Sequence, residues 1–183
     1  MSQLRMEIDC LDSLPEINVS SEYAFRTFEP GDEVGLGRVY FSATLSTETV
    51  EKVRLRLHDH PCFEPGRVFV ALMGDLIVGS ASAWRSTRDP GAGYLHMLGV
   101  LPDHRGKNLG AALTVATLRY TRDEGFCAQR LLTDDWRRPA IRLYLALGYD
   151  PLITDWTHKM RWRKIARYLQ QPDIVQRARK VVL

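Results

Sequence analysis

No stretch of this chain approaches the ~20 consecutive apolar residues that a membrane-spanning helix needs, so the sequence predicts no transmembrane segment. Cysteine is sparse. Cys10, Cys62 and Cys127 form an odd, scattered set without a C-x-x-C pair, which predicts reduced thiols in a cytoplasmic protein and no disulfide framework. A strong excess of one charge sign is also missing: a net charge of +3 is too small to imply a nucleic-acid partner. The first twenty residues carry Arg5, Glu7, Asp9, Asp12 and Glu16, so no secretory hydrophobic region is expected there. Internal repeats and low-complexity tracts are lacking. What remains is 183 residues, 45% hydrophobic and 26% charged, the profile of one soluble domain with a substantial core.

Charge is uneven along the chain. From Trp156 to Leu183 eight Lys or Arg stand against one Asp, a local +7, leaving about −4 elsewhere. Such a basic segment is more often a solvated helix face than a binding surface. Residues 1–21 show no firm periodicity and read as an N-terminal extension, residues 22–165 as the folded domain, and residues 166–183 as a basic helical tail. Within the domain, Tyr23–Phe28 alternates as a strand and ends in the turn chemistry of Glu29-Pro30-Gly31-Asp32. Helical spacing covers Glu33–Ser42 and Val50–Leu57, the second capped by Ser46 or Thr47. Val68–Leu72 and Leu76–Ala81 read as a hairpin across Met73-Gly74-Asp75, and Ser86–Gly93 as a turn. After a helix from Leu109, Arg130–Asp134 reads as a strand and Pro139–Leu147 as a helix closed by Gly148. Thr154–Trp162 is expected as the last strand, and Ile165–Leu183 as helix broken at Pro172.

The stretch from Tyr94 to Thr117 organises the rest. An apolar run, Tyr94–Leu101, is followed by the charged, glycine-bearing turn Pro102–Gly110 and an alanine-rich helix. Strand, glycine loop and helix start together present backbone N–H groups and positive dipole to a phosphate. The spacing excludes two common seats. A dinucleotide fingerprint needs G-x-G-x-x-G, whereas Gly106 and Gly110 have three residues between them. A Walker A loop needs Lys-Ser/Thr, but Lys107 precedes Asn108. The pattern that is nearly met is Arg/Gln-x-x-Gly-x-Gly/Ala, as Arg105-Gly106-Lys107-Asn108-Leu109-Gly110.

On these residues the chain resembles the GNAT superfamily of acetyl-CoA-dependent N-acetyltransferases. Asn108 stands where that pattern has Gly, and Asn is the non-glycine residue that best tolerates left-handed backbone angles. A second stretch, Ala140-Ile141-Arg142-Leu143-Tyr144-Leu145-Ala146-Leu147-Gly148-Tyr149, resembles the family's Asn-x-x-Ala-(x)3-Tyr-(x)3-Gly-Phe motif. Arg137 there replaces the Asn that contacts the cofactor. The resemblance implies an α/β GNAT fold with a mixed central sheet of about six to seven strands flanked by helices. It implies acetyl-CoA as cosubstrate. Backbone amides from Arg105 through Gly106, Lys107, Asn108, Leu109 and Gly110 to Ala111 would cradle its pyrophosphate, and Arg137 would contribute to the same seat. The Leu98 N–H would polarise the thioester carbonyl, and Val100 would pair with the pantetheine arm. Homodimers are common in the superfamily, although nothing in this sequence decides the matter.

Two side chains are the candidate catalysts. A phenol with a pKa of about 10 can give its proton to the departing thiolate, the role expected of Tyr144; the bland alternative is an amphipathic core tyrosine. An acceptor amine must lose a proton before attack, and His96 can take it directly or through water. The run around His96 is similar to the matching strand of the serotonin N-acetyltransferases, with Tyr94 in the place of their second histidine. A core histidine bonded within the sheet meets the same pattern. Alternation places Tyr94, His96 and Leu98 on one face of the strand. His58-x-His60-x-Cys62 lacks the spacing of a zinc site, and no metal is expected. His58, His60 and Phe63 are instead placed on the substrate wall, with Asp134, Asp135 and Trp136 as contacts for a cationic amine. The carboxylates could equally cap the following helix. The resulting expectation is direct transfer of acetyl from acetyl-CoA to a primary amine, of a small molecule or a peptide. The competing class is a catalytically idle acyl-CoA-binding scaffold of the same fold, favoured by Asn108 and Arg137.

Overall fold

The computed structural model describes residues 2–45, 51, 53, 54, 57, 59–85 and 91–180. Among these residues eight strands form one sheet: β1 Leu4–Ile8, β2 Tyr23–Thr27, β3 Val68–Met73, β4 Leu76–Arg85, β5 Gly93–Val100, β6 Gln129–Thr133, β7 Asp150–Ile153 and β8 Arg179–Lys180. Their spatial order is β2-β3-β4-β5-β6-β1-β7-β8. The sheet is mixed, parallel between β5 and β6 and between β7 and β8, antiparallel elsewhere. Helices α1 Glu33–Ser42, α2 Leu109–Asp123, α3 Arg138–Ala146, α4 Trp156–Leu169 and the single turn α5 Ile174–Arg177 flank it. The expected cap at Ser46 or Thr47, His58, half of the Val50–Leu57 segment and most of Ser86–Gly93 lie outside the described residues. Among the described residues no helix is long and apolar enough to cross a membrane.

The two faces of the sheet bury different sets. Val68, Val70 and Ile77 meet Leu36, Val39 and Tyr40 of α1. Ala71, Val78, Leu95 and Leu131 meet Leu109, Leu113 and Leu118 of α2, with Ile141, Leu145 and Trp162. The buried side of α2 also carries Thr114, Thr117 and Thr121. Gln129 bonds the Thr117 carbonyl at 3.0 Å and the Thr121 hydroxyl at 2.7 Å, satisfying these polar groups inside the core.

The structure corrects the expected borders. Residues 1–21 are not an appendage: β1 lies between β6 and β7, and Leu4 and Met6 are fully buried. The segment Leu4-Arg5-Met6-Glu7-Ile8 does alternate, over only five residues. The expected strand Thr154–Trp162 is helix instead, because Asp155 caps it. Its carboxylate accepts the N–H groups of Thr157 at 2.7 Å and His158 at 3.1 Å. Trp162, Ile165, Ala166 and Leu169 then fall on one buried stripe of period 3.6. The last strands are β7 and the two-residue β8, so the tail is only partly helical. Basic residues from Trp156 onward make ion pairs: Arg161 with Asp135, Arg177 with Asp150, and Arg179 with Asp9, Glu7 and Asp150.

Asn108 takes the left-handed conformation, φ 61 and ψ 4, immediately before α2, and its side chain donates to the Asn18 carbonyl at 3.0 Å. A β-branched side chain resists that conformation. Asn108→Val is expected to lower unfolding free energy by about 1–2 kcal/mol, whereas Asn108→Gly should cost less; thermal denaturation measures both.

Candidate active site

Strands β5 and β6 begin as partners and then part. Their ladder runs only from Gly93↔Gln129 to Leu95↔Leu131, after which β5 continues to Val100 and β6 to Thr133. A bulge marks the parting. Between the pairs Ser82↔His96 and Ser80↔Gly99, β5 places Met97 and Leu98 opposite Ala81 alone, and Met97 has a φ of 54. The bulge breaks the expected alternation, so Leu95, His96, Met97 and Leu98 all line the resulting cavity.

That cavity is about 520 Å³, within the ordinary range for small-molecule sites. His96 and Tyr144 both line it, with Leu98, Arg137 and His60. The structure therefore brings both candidate catalysts and three of the expected contacts to one place. It also adds residues that local patterns did not mark: Tyr40 from α1, Trp84 from β4, Thr133 from β6 and Gln3 from just before β1. Only the parity that Tyr94 shares with His96 gave a signal for that wall, and Tyr94 lines the cavity as well.

The rings are ordered. Trp84 stacks on His60 at 3.7 Å between centroids and on His96 at 3.9 Å. The Nδ1 atom of His60 accepts the Cys62 N–H at 3.1 Å, which requires that nitrogen to be unprotonated. Burial pushes the His60 pKa below its ordinary value, in agreement with a neutral ring. Tyr144 is only 7% exposed. Burial pushes its phenol well above the usual range, while the Arg137 charge pulls the other way. Tyr144 is thus held protonated at neutral pH, as an acid must be.

At the far end of β5, a short turn at Pro102–His104 leads into the loop before α2. The Arg105 Nε donates to the Val100 carbonyl at 3.1 Å and Nη2 to that of Ser42 at 3.4 Å, pinning the loop across the end of α1. Gly106 has a φ of 75 and Asn108 a φ of 61, turns that leave the first amides of α2 free of intrahelical partners. Lys107 donates to the Tyr23 hydroxyl at 2.9 Å. Leu109 is buried in the core and Ala111 half-buried. A Cβ on Gly110 would stand 3.3 Å from Leu143 of α3, so the two helices meet here with little space to spare. The loop's geometry and the helix start fit a pyrophosphate.

Arg137 makes a strap across the cavity. Its guanidinium donates to the Ala43 and Thr44 carbonyls at 3.3 and 2.9 Å, and to Asp134 at 3.3 Å. Gln3 donates to the same carboxylate at 3.2 Å. Asp134, Asp135 and Trp136 are not among the cavity's lining residues. Asp134 is engaged by Gln3 and Arg137, Asp135 by Arg161 at 2.9 Å, and Trp136 is 60% exposed beneath the Arg137 guanidinium. Each carboxylate already has its cation in the protein. Neither caps α3 through its side chain.

Comparison with known proteins follows the same lines. Residues 36–149 match the profile of the acetyltransferase (GNAT) family, a span that includes the bulged strand, the loop, α2 and α3. The mycothiol acetyltransferase of Thermomonospora curvata is 35% identical over 159 residues, 83% of this chain and 52% of that protein. That of Thermobispora bispora is 31% identical over 170 residues, 87% of this chain and 56% of the relative. The chain spans about half the length of the curated relatives it matches. The GCN5-related N-acetyltransferase from Sphaerobacter thermophilus has a TM-score of 0.63 at 22% identity, over 82% of this chain and 49% of that one. Ard1 from Thermoplasma volcanium gives 0.60 at 23%, over 69% and 82%; both share the fold. By the profile that matches most of its length, and by the loop and bulged strand within that span, the chain belongs to the acetyltransferase (GNAT) family.

Proposed function

We propose that this protein transfers acetyl from acetyl-CoA directly to a primary amine. One observation supports the reading above the rest: Tyr144 and His96 line a single cavity where β5 and β6 part, beside a loop and helix start suited to pyrophosphate. Acetyl-CoA would lay its pyrophosphate on the amides from Arg105 to Ala111 and its pantetheine arm along β5 near Val100. The Leu98 N–H would then take the thioester oxygen. His96 receives the proton of the attacking amine, directly or through water, and Tyr144 protonates the leaving sulfur. The curated relatives are named mycothiol acetyltransferases, so a mycothiol-related amine heads the acceptors to be tried.

The test is transfer of labelled acetyl from acetyl-CoA to a panel of amines, with a pH–rate profile for the best acceptor. His96→Ala is expected to remove the acidic limb of that profile, while His60→Ala keeps it. A limb retained in His96→Ala assigns the base elsewhere. Binding without transfer to any amine would favour the idle acyl-CoA-binding scaffold.

A further inference from the structure

Trp84 of β4 is packed between two imidazoles, and the steps above give it no part. Its ring lies 3.7 Å from that of His60, at 26° between planes, and 3.9 Å from that of His96, at 24°. The two outer rings are 6.5 Å apart. Only 8% of Trp84 is exposed, and its buried Nε1 has no hydrogen-bond partner among the described residues. A buried N–H without a partner costs free energy, which a phenylalanine would avoid. What the indole adds over phenylalanine is a larger and more electron-rich face.

The sheet sets that face against His96. Trp84 is the cross-strand partner of Tyr94, and Ser82 that of His96. All four share one face of the β4–β5 pair, with Trp84 diagonal to His96. His60 arrives from the loop before β3 and covers the other side of the indole. Its Nδ1 accepts the Cys62 N–H at 3.1 Å, a bond that protonation there would break. Burial also lowers the His60 pKa. His60 thus stays neutral, and the charge of a protonated stack falls on His96. The other titratable or charged residues described around the cavity are Tyr40 of α1, Tyr94 of β5, and Arg137 and Tyr144 at α3. Burial pushes Tyr40 and Tyr94 up to about 12 and raises Tyr144 as well, so these phenols are uncharged at neutral pH. Arg137 is paired with Asp134.

A neutral imidazole sets its own electron-rich face against that of the indole, whereas a cation within about 6 Å of the ring centroid is attracted to it. The stack therefore gains when His96 takes a proton. We propose that Trp84 is a positioning residue for the base: its indole face orients His96 and stabilises the imidazolium that forms as the acceptor amine attacks the thioester. In that step the C–N bond forms and the nitrogen gives one proton to His96. The C–S bond breaks with its electron pair going to sulfur, which takes a proton from Tyr144. Exchange with solvent then resets both side chains. The inference rests on the acetyl-transfer reading with His96 as its base.

The test reads His96 directly, by NMR titration of its ring Cε1–H signal, assigned through its loss in His96→Ala. Trp84→Leu should lower the His96 pKa by about 0.5–1.5 pH units. The acidic limb of kcat/KM should move to lower pH by the same amount, with KM for acetyl-CoA within about twofold. Uniform 5-fluorotryptophan withdraws electrons from the ring with almost no change of shape, and should move both readouts the same way by less. A merely structural tryptophan would not respond to it. All four tryptophans carry the label, so labelling Trp84→Phe should move neither readout further. Should Trp84→Leu not fold, the labelled wild-type protein carries the comparison. An unchanged or raised His96 pKa in that protein, or a label effect that persists in Trp84→Phe, would overturn the proposal. So would a moved titration beside an unmoved acidic limb. Wild-type protein that transfers acetyl to no amine would overturn the transfer reading instead, while the titration, which needs no substrate, still decides the stack.

Discussion

Tyr144→Phe should reduce kcat and kcat/KM together by roughly a hundredfold or more while leaving acetyl-CoA affinity unchanged. A positioned general acid contributes on the order of 10²–10⁴ in rate, and a group acting only in the transition state shifts both parameters equally. The environment favours this role. Tyr144 lines the cavity, is almost wholly buried and is held protonated by that burial. Phe keeps the ring that packs beside Tyr149 at 5.7 Å, so the loss isolates the hydroxyl. Steady-state kinetics beside a direct acetyl-CoA titration measures it. An unchanged kcat would remove Tyr144 as the acid, and a parallel loss of affinity would make it a binding residue.

Gly110→Glu should abolish acetyl-CoA binding. Gly110 lies in the first turn of α2, where even a Cβ would come 3.3 Å from Leu143. A glutamate has to turn its carboxylate toward the loop, into the space assigned to pyrophosphate, where like charges repel. Gly110→Ala separates the two effects. It adds bulk without charge, so it should lower affinity far less. Binding is read by calorimetry, and circular dichroism confirms that the glutamate variant folds. Wild-type affinity in a folded Gly110→Glu protein would move the pyrophosphate elsewhere.

The parts of the site that were legible in the sequence are local. The run from Tyr94 to Thr117 carries its strand, its turn chemistry and its helix within a few turns of chain, and the structure forms all three there. Asn108 was readable as a left-handed position because few residues other than Asn and Gly adopt it, and its φ is 61. The remainder depends on distant pairing. Strand β1 alternates over five residues, too few to identify it, and its place between β6 and β7 depends on partners more than 120 residues away. Asp134 and Asp135 were visible as carboxylates, but Arg161, which occupies Asp135, reaches it only after α4 folds back. The bulge at Met97 and Leu98 defeats a strict period of two, since one extra residue turns the strand's faces over. His60, Trp84 and His96 come from three separate segments, so the ring stack exists only in the fold.

The most direct test of the central claim is calorimetric titration of the purified protein with acetyl-CoA, beside NAD and ATP. The loop at Arg105–Gly110 and the cavity beyond the β5–β6 ladder predict one-to-one binding of acetyl-CoA in the micromolar range (Kd of about 1–100 μM), with no heat from NAD or ATP. No binding of acetyl-CoA would contradict the account. It would mean that the Arg137 strap and the Asn108 turn close the seat, leaving a fold of this family without its cosubstrate.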